Sequence, residues 1–451
     1  MTDTKELLAR IAALKVRLAE EPDWSGKNPD RAAAQKVQKG ADDGAEIDVT
    51  LRAANAGEPT PALPATLRLT GRGVRLLRKG RDLLQALRTI ADESAFQGAA
   101  PHVLAWHREG MAMIEVVLRN VQSMPASVSA QLRMCDGLEV VLIEVEERIG
   151  RLAEFLETHT RIDGHVTALA DILRRLATKQ PVGMPALQGI ADAVLADAKA
   201  DQPLRCIYES PADPSRFAAA HGLTTANVLA RVLWDDAAWQ QQKSLAVMAA
   251  LVHDVGMTRV PSEVLLTEGP LDSDQRRLVE KHTMIAAEML DPLWPGGGWP
   301  IEAATCHHER NDGTGYPAGK RDIQLASFVR LLAVCDVYAA LCAPRPYRDA
   351  FDTRTALTEV LLLAERGYLD PTSVERLLVL SFYPIGSTVE LSDGAIGRVI
   401  ATHSDEVGLT HPDRPIVLLT TDADQRPLTC PTVVDLLERR ERSILRSLPS
   451  V

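Results

Sequence analysis

His307-His308-Glu309-Arg310-Asn311-Asp312-Gly313-Thr314-Gly315-Tyr316-Pro317 sets two adjacent imidazoles and two carboxylates in and ahead of a glycine-punctuated loop. Upstream, Ala249-Ala250-Leu251-Val252-His253-Asp254 ends an apolar, helix-forming run on an ionisable doublet. A charged aspartate against such a wall is costly unless it is paired or holds a metal. Asp336 meets the same problem between Leu331-Leu332-Ala333-Val334-Cys335 and Val337-Tyr338-Ala339-Ala340-Leu341. An isolated histidine is most often a packed or surface residue. Here His221, His253, Asp254, His282, His307, His308 and Asp336 come from five separated segments and use five of the chain's eleven histidines. Such a set points to a metal site with phosphate chemistry beside it. Mixed imidazole and carboxylate donors suit iron, manganese or zinc, and the lack of a thiolate cluster argues against structural zinc.

The rest of the chain limits the class. Its 451 residues suggest two or three domains, and 46% apolar content is enough for globular packing. A net charge of -11 argues against a binder of nucleic-acid polymers, yet leaves room for a local basic pocket around one phosphorylated ligand. Six dispersed cysteines with no CxxC pair fit a reducing compartment. No stretch approaches the roughly 20 apolar residues of a membrane span, so the expectation is a cytoplasmic protein.

The chain reads as mainly α, in four parts. Residues 1–70 comprise a short amphipathic helix, on Leu7, Ile11, Leu14 and Leu18, and a linker closed by Pro59, Pro61 and Pro64. Residues 71–200 are helical, with a stripe at Leu138, Leu142, Val145, Ile149, Leu152 and Leu156. That spacing fits a dimerising or signal-relaying coiled coil, which would make a homodimer, or one helix of an ordinary bundle. Residues 201–381 hold every candidate ligand. Residues 382–451 read as a small β-rich appendage, with turns at Asp393-Gly394 and His411-Pro412-Asp413 and a final helix near Leu436.

The ligand-bearing segment resembles the HD-GYP domain, a branch of the HD phosphohydrolase superfamily. His253-Asp254 matches the HD doublet and Gly315-Tyr316-Pro317 the GYP; Lys281-His282-Thr283, His307-His308-Glu309, Asp336 with Tyr338 and Leu341, and Arg345-Pro346-Tyr347-Arg348 follow in the family's order. The resemblance implies an HD-type helical bundle and a metal-dependent phosphodiesterase that opens cyclic di-GMP to linear pGpG or GMP. It further implies two divalent ions, iron or manganese, with Asp254 bridging them. His253 and Asp336 would serve one ion and His282, His307 and His308 the other, with His221 opening the site. His221, His253 and Asp254 are then the catalytic set. Arg345 and Arg348 are assigned to substrate phosphates, and Tyr316 to a base or to packing. Lys320 and Arg321 are weaker candidates for the phosphates. Glu309 and Asp312 read as groups that orient imidazoles or brace the loop, Asp312 equally well as a loop cap. The loop, like the N-terminal helices, is also a candidate for contact with a signalling partner.

Two positions depart from the family's pattern. A lysine usually stands four residues after the doublet's histidine, and here it is Met257; on a continuing helix that position shares the face of His253. Arg259 could substitute only if Gly256 redirects the chain. Members with a third metal resemble one another in a glutamate four residues before the opening histidine, where this chain has Phe217, so two ions are expected. Hydrolysis of another nucleotide, or ligand sensing without turnover, are the alternative functions.

Overall fold

The computed structural model describes residues 46–50 and 66–448, except 94–95, 97–100, 201, 203, 381, 384, 406–407, 410 and 412. The helix expected on Leu7 to Leu18 lies outside the described residues, as do the three linker prolines. The described chain is mainly helical with a C-terminal antiparallel sheet, and it divides into two compact units between Ile162 and Asp163.

In the first unit, strands β1 (Glu46–Thr50) and β2 (Thr66–Thr70) pair antiparallel, Ile47 opposite Leu69, within the stretch expected to be linker. Thr70 then caps helix α1 (Gly71–Ala91), its Oγ1 accepting from Gly73 N at 3.2 Å. Helices α2 (Pro101–Gln122) and α3 (Val128–Ala177) follow. The α3 stripe is a core face: Leu142, Val145, Ile149, Leu152 and Leu156 are buried with Leu76, Leu83 and Leu87 of α1 and Ile114 and Val117 of α2. Gly80 allows the close approach, since a Cβ there would lie 3.0 Å from a Leu118 methyl. Ion pairs edge this core, with Arg72 on Asp136 at 2.8 Å and Lys79 on Glu146 at 2.8 Å. The apolar repeat is therefore used inside one chain, as a bundle helix uses it.

The second unit begins within α3. Arg216 ties the unit's opening residues together, bonding Asp163 at 2.6 Å and Thr167 at 2.9 Å. Helix α4 (Met184–Lys199) packs on α5 (Pro214–Val232) and α6 (Lys243–Val252), so it sits with the ligand-bearing helices and not, as a boundary at 200 would have it, with the N-terminal ones. Asp213 starts α5 by accepting from Ser215 N and Arg216 N, with Pro214 in the first turn where a missing N–H costs nothing. After α6 a 3₁₀ turn (Val255–Arg259) leads on to α7 (Ser273–Glu280), α8 (His282–Leu290), α9 (Trp299–Cys306) and α10 (Ser327–Leu341). Helices α11 (Thr353–Glu365) and α12 (Pro371–Arg376) close the bundle.

Strands β3 (Thr388–Leu391), β4 (Ile396–Ala401), β5 (Ile416–Thr421), β6 (Pro427–Asp435) and β7 (Ile444–Leu448) form a sheet in the order β6-β5-β4-β3-β7. Thr353 and Arg354 of α11 fasten it through Phe382 O and the Tyr383 hydroxyl. The final helix expected near Leu436 is not formed. Leu436 is wholly buried in the sheet's core, Asp435 accepts from Leu437 N at 2.8 Å to make a turn, and the chain returns as strand β7 beside β3. Arg439-Arg440-Glu441-Arg442 offers no apolar face on which a helix could pack.

Candidate metal centre

Three glycines let the ligand-bearing backbones meet. A Cβ at Gly222, beside His221 on α5, would lie 2.4 Å from Leu251 O at the end of α6. One at Gly256 would lie 1.9 Å from His282 O, so the 3₁₀ turn presses directly on the start of α8. One at Gly315 would lie 2.4 Å from both His308 O and Arg310 N, where the loop folds back on the histidine pair. Only a hydrogen fits at these contacts.

All seven expected ligands converge. Asp254, His282, His307 and His308 form one group and His221, His253 and Asp336 another, with donor atoms in each group within 4.8 Å of one another. Asp254 faces both. Its Oδ1 is 3.2 Å from His282 Nε2 and 3.4 Å from His307 Nε2, while its Oδ2 is 3.8 Å from His221 Nε2 and 3.9 Å from His253 Nε2.

The imidazoles are fixed from behind. Nδ1 of His253 contacts Ala250 O at 2.7 Å, that of His282 contacts Val279 O at 2.6 Å, and that of His307 contacts Ala304 O at 2.8 Å. A carbonyl can only accept, so each Nδ1 carries a proton and, in the neutral imidazole that ligates metal, each Nε2 presents a lone pair to the centre. Nε2 of His282 and Nε2 of His307 then face each other at 3.5 Å with Asp254 Oδ1 beside them. Three acceptor atoms directed at one another repel unless a cation lies among them. His253 Nε2 and Asp254 Oδ1 are also buried without a well-formed hydrogen-bond partner, as atoms awaiting a metal would be. The residues fit divalent cations.

Electrostatics agree. Burial would raise the Asp254 and Asp336 carboxyls, yet the surrounding histidines hold both well below the usual carboxylate range. At His253, burial opposes protonation, but Asp254 and Asp336 outweigh it and push the imidazole up to about 9, marking a corner that draws positive charge. Burial lowers His307 and His308, with His253 adding to it at His307 and His307 at His308, which favours the neutral form that ligates metal.

The neighbouring residues divide by what they touch. Tyr316 stacks on His308, with ring centroids 4.7 Å apart and planes at 27°. The Glu309 carboxylate, buried, accepts from Ala318 N at 2.8 Å and Lys320 N at 2.9 Å, bracing the loop. Asp312 accepts from Thr314 N and Oγ1 and is a loop cap. The Lys320 ammonium is engaged by Cys306 Sγ at 3.5 Å. Arg345 is half-buried over Phe217, with no side-chain hydrogen bond among the described residues. Arg348, expected beside it as a phosphate ligand, instead donates to the carbonyls of Ala340, Leu341 and Asp349 and so caps the end of α10.

The expectation that Met257 shares the face of His253 is corrected, because α6 stops at Val252 and Met257 is buried in the separate 3₁₀ turn. Arg259 does not substitute, since its guanidinium donates to Ala177 O. Sequence reasoning missed Gly222 and the placement of Phe217 under Arg345. A glycine directly following a ligand on an apolar helix was a signal for the first; nothing local signals the second.

Residues 211–373 match the family model for the HD domain. A cyclic di-GMP phosphodiesterase of Pseudomonas aeruginosa is 36% identical over 161 residues, which is 35% of this chain and 38% of that protein. A cyclic di-GMP phosphodiesterase response regulator of Xanthomonas campestris is 37% identical over 143 residues, 31% of this chain and 37% of that protein. A 3'3'-cGAMP-specific phosphodiesterase of Vibrio cholerae is 37% identical over 109 residues, 24% of either chain. The chain thus spans less than two-fifths of the length of these relatives.

Proposed function

We propose, for a chain whose residues 211–373 carry an HD domain, a metal-dependent phosphodiesterase that opens cyclic di-GMP to linear pGpG, GMP or both. The observation that carries this reading is the convergence of His282 Nε2, His307 Nε2 and Asp254 Oδ1, with Asp254 Oδ2 turned to the second ligand group. The names of the relatives from Pseudomonas and Xanthomonas support the choice of cyclic dinucleotide.

The proposed centre is binuclear, with iron or manganese as the ions. When bound, two divalent cations acidify water and neutralise charge developing on a phosphoryl group. Asp254 would bridge them, with His221, His253 and Asp336 on one side and His282, His307 and His308 on the other. Arg345, its donors free, would take a substrate phosphate, and Tyr316 would offer a ring edge or hydroxyl at the mouth. Residues 201–381 act as the catalytic segment in this reading, and the N-terminal helices or the GYP loop receive a signalling partner.

The test is a nucleotide panel with enzyme loaded anaerobically with iron or manganese and with products identified by chromatography. Metal-dependent release of pGpG or GMP is expected. A metal-loaded enzyme that cleaves none of the panel would sink the reading. Preferential cleavage of 3'3'-cGAMP is the second reading, supported by the relative from Vibrio cholerae, and the same panel separates the two.

A further inference from the structure

Phe217 lies one turn before His221 on α5, and its ring underlies Arg345, with the guanidinium carbon 5.1 Å from the ring centroid. The ring is buried. An aromatic face attracts a cation through its quadrupole and consumes none of the N–H donors. A guanidinium held this way keeps its five donors for a ligand. Arg348, three residues on, also lies over a ring, that of Phe351 at 4.7 Å, but its donors are taken by main-chain carbonyls, whereas those of Arg345 are not. Burial lowers the Arg345 guanidinium, and Tyr347 and the carboxylates of Asp336 and Asp254 only partly offset this. Arg345 is thus a half-buried cation near the carboxylates of the candidate centre, with no ion pair of its own among the described residues. A phosphate would supply the anion.

We propose that Phe217 is a positioning residue: its ring seats the Arg345 guanidinium with the donors free for a substrate phosphate, so that phosphate affinity is set in part from α5. This rests on the phosphodiesterase reading only for the identity of the phosphate's bearer. A leucine at 217 would fill much of the space but offer no quadrupole, whereas a tyrosine would keep the face.

The experiment uses the full, manganese-loaded chain as wild type, Phe217→Leu, Phe217→Tyr, Arg345→Ala and the Phe217→Leu/Arg345→Ala double variant. Affinity for inorganic phosphate is read by calorimetry, and KM and kcat are read with cyclic di-GMP. Phe217→Leu is expected to weaken phosphate binding and raise KM by about 3- to 30-fold, the range a half-buried cation–π contact supports. Phe217→Tyr should restore both, and Phe217→Leu should add nothing once Arg345 is alanine. Unchanged affinity in Phe217→Leu, additive losses in the double variant, or loss of metal from Phe217→Leu would each overturn the proposal. A wild type whose phosphate affinity depends on Phe217 as described, but which leaves cyclic di-GMP intact, would sink the substrate assignment and leave the positioning role standing. A wild type that binds neither ligand would sink both.

Discussion

His221 and Asp336 meet at 2.7 Å, Nε2 to Oδ1, across 115 residues of chain. The packing of α10 on α5 brings them together, so these two candidate ligands support each other through a direct contact. Asp254 has no such support, since its Oδ1 is buried and lacks a well-formed partner.

Asp254→Ala is therefore expected to release both ions and abolish hydrolysis, while His221→Ala leaves the group around His282 able to retain metal. Metal analysis beside an activity assay checks this. Full metal content with normal turnover in Asp254→Ala would end its bridging assignment.

The two arginines should separate cleanly. Arg345→Ala should raise KM with the metals in place, losing about 1.5 to 3 kcal/mol of charge-assisted contact. Arg348→Ala should act instead on folding, exposing the α10 carbonyls and lowering the unfolding midpoint by the equivalent of about 1 to 2 kcal/mol. Steady-state kinetics and thermal denaturation of the two variants test the division. An Arg348→Ala protein of normal stability but raised KM would reverse it.

Gly256→Ala introduces a single methyl group, yet that carbon would lie 1.9 Å from His282 O. The turn must move away from α8, carrying Asp254 with it. Expected are a stability loss of about 3 kcal/mol or more and reduced metal retention, both readable by denaturant unfolding and metal titration. Wild-type behaviour of this variant would show that the contact is looser than described.

Two ions per chain are expected, with none added beside His221. The position one turn earlier is occupied by the Phe217 ring, which has no donor atom and lies against Arg345, a cation that repels another. Metal-to-protein stoichiometry and anomalous scattering from manganese-soaked crystals give the answer. A fully occupied third site at His221 would contradict the prediction.

The convergence of the candidate ligands was legible because carboxylates and imidazoles inside apolar helices require partners, and because their order resembles a known motif. The role of Met257 was not. Extending α6 through the doublet placed Met257 over His253, but the helix ends at Val252, where Gly256 turns the chain onto α8. Arg345 and Arg348 looked alike in sequence, and only the position of the α10 carbonyls tells them apart. The α3 stripe fixed a helix and its apolar face, yet heptad spacing does not specify whether the covering surface comes from the same chain. The strand after Leu436 was obscured by the charged run before it, although alternation of buried and exposed positions in the earlier strands was readable.

The rear anchoring of His253, His282 and His307 constrains any attempt to engineer the centre's metal preference. Exchanging one of them for cysteine, to favour softer ions, would supply a thiolate but no second donor for Ala250, Val279 or Ala304. The same edit that alters ligand chemistry would loosen a carbonyl contact within a helical turn. Selectivity and scaffold are coupled at these three positions, so a designed exchange would need a compensating hydrogen-bond donor from a neighbouring residue.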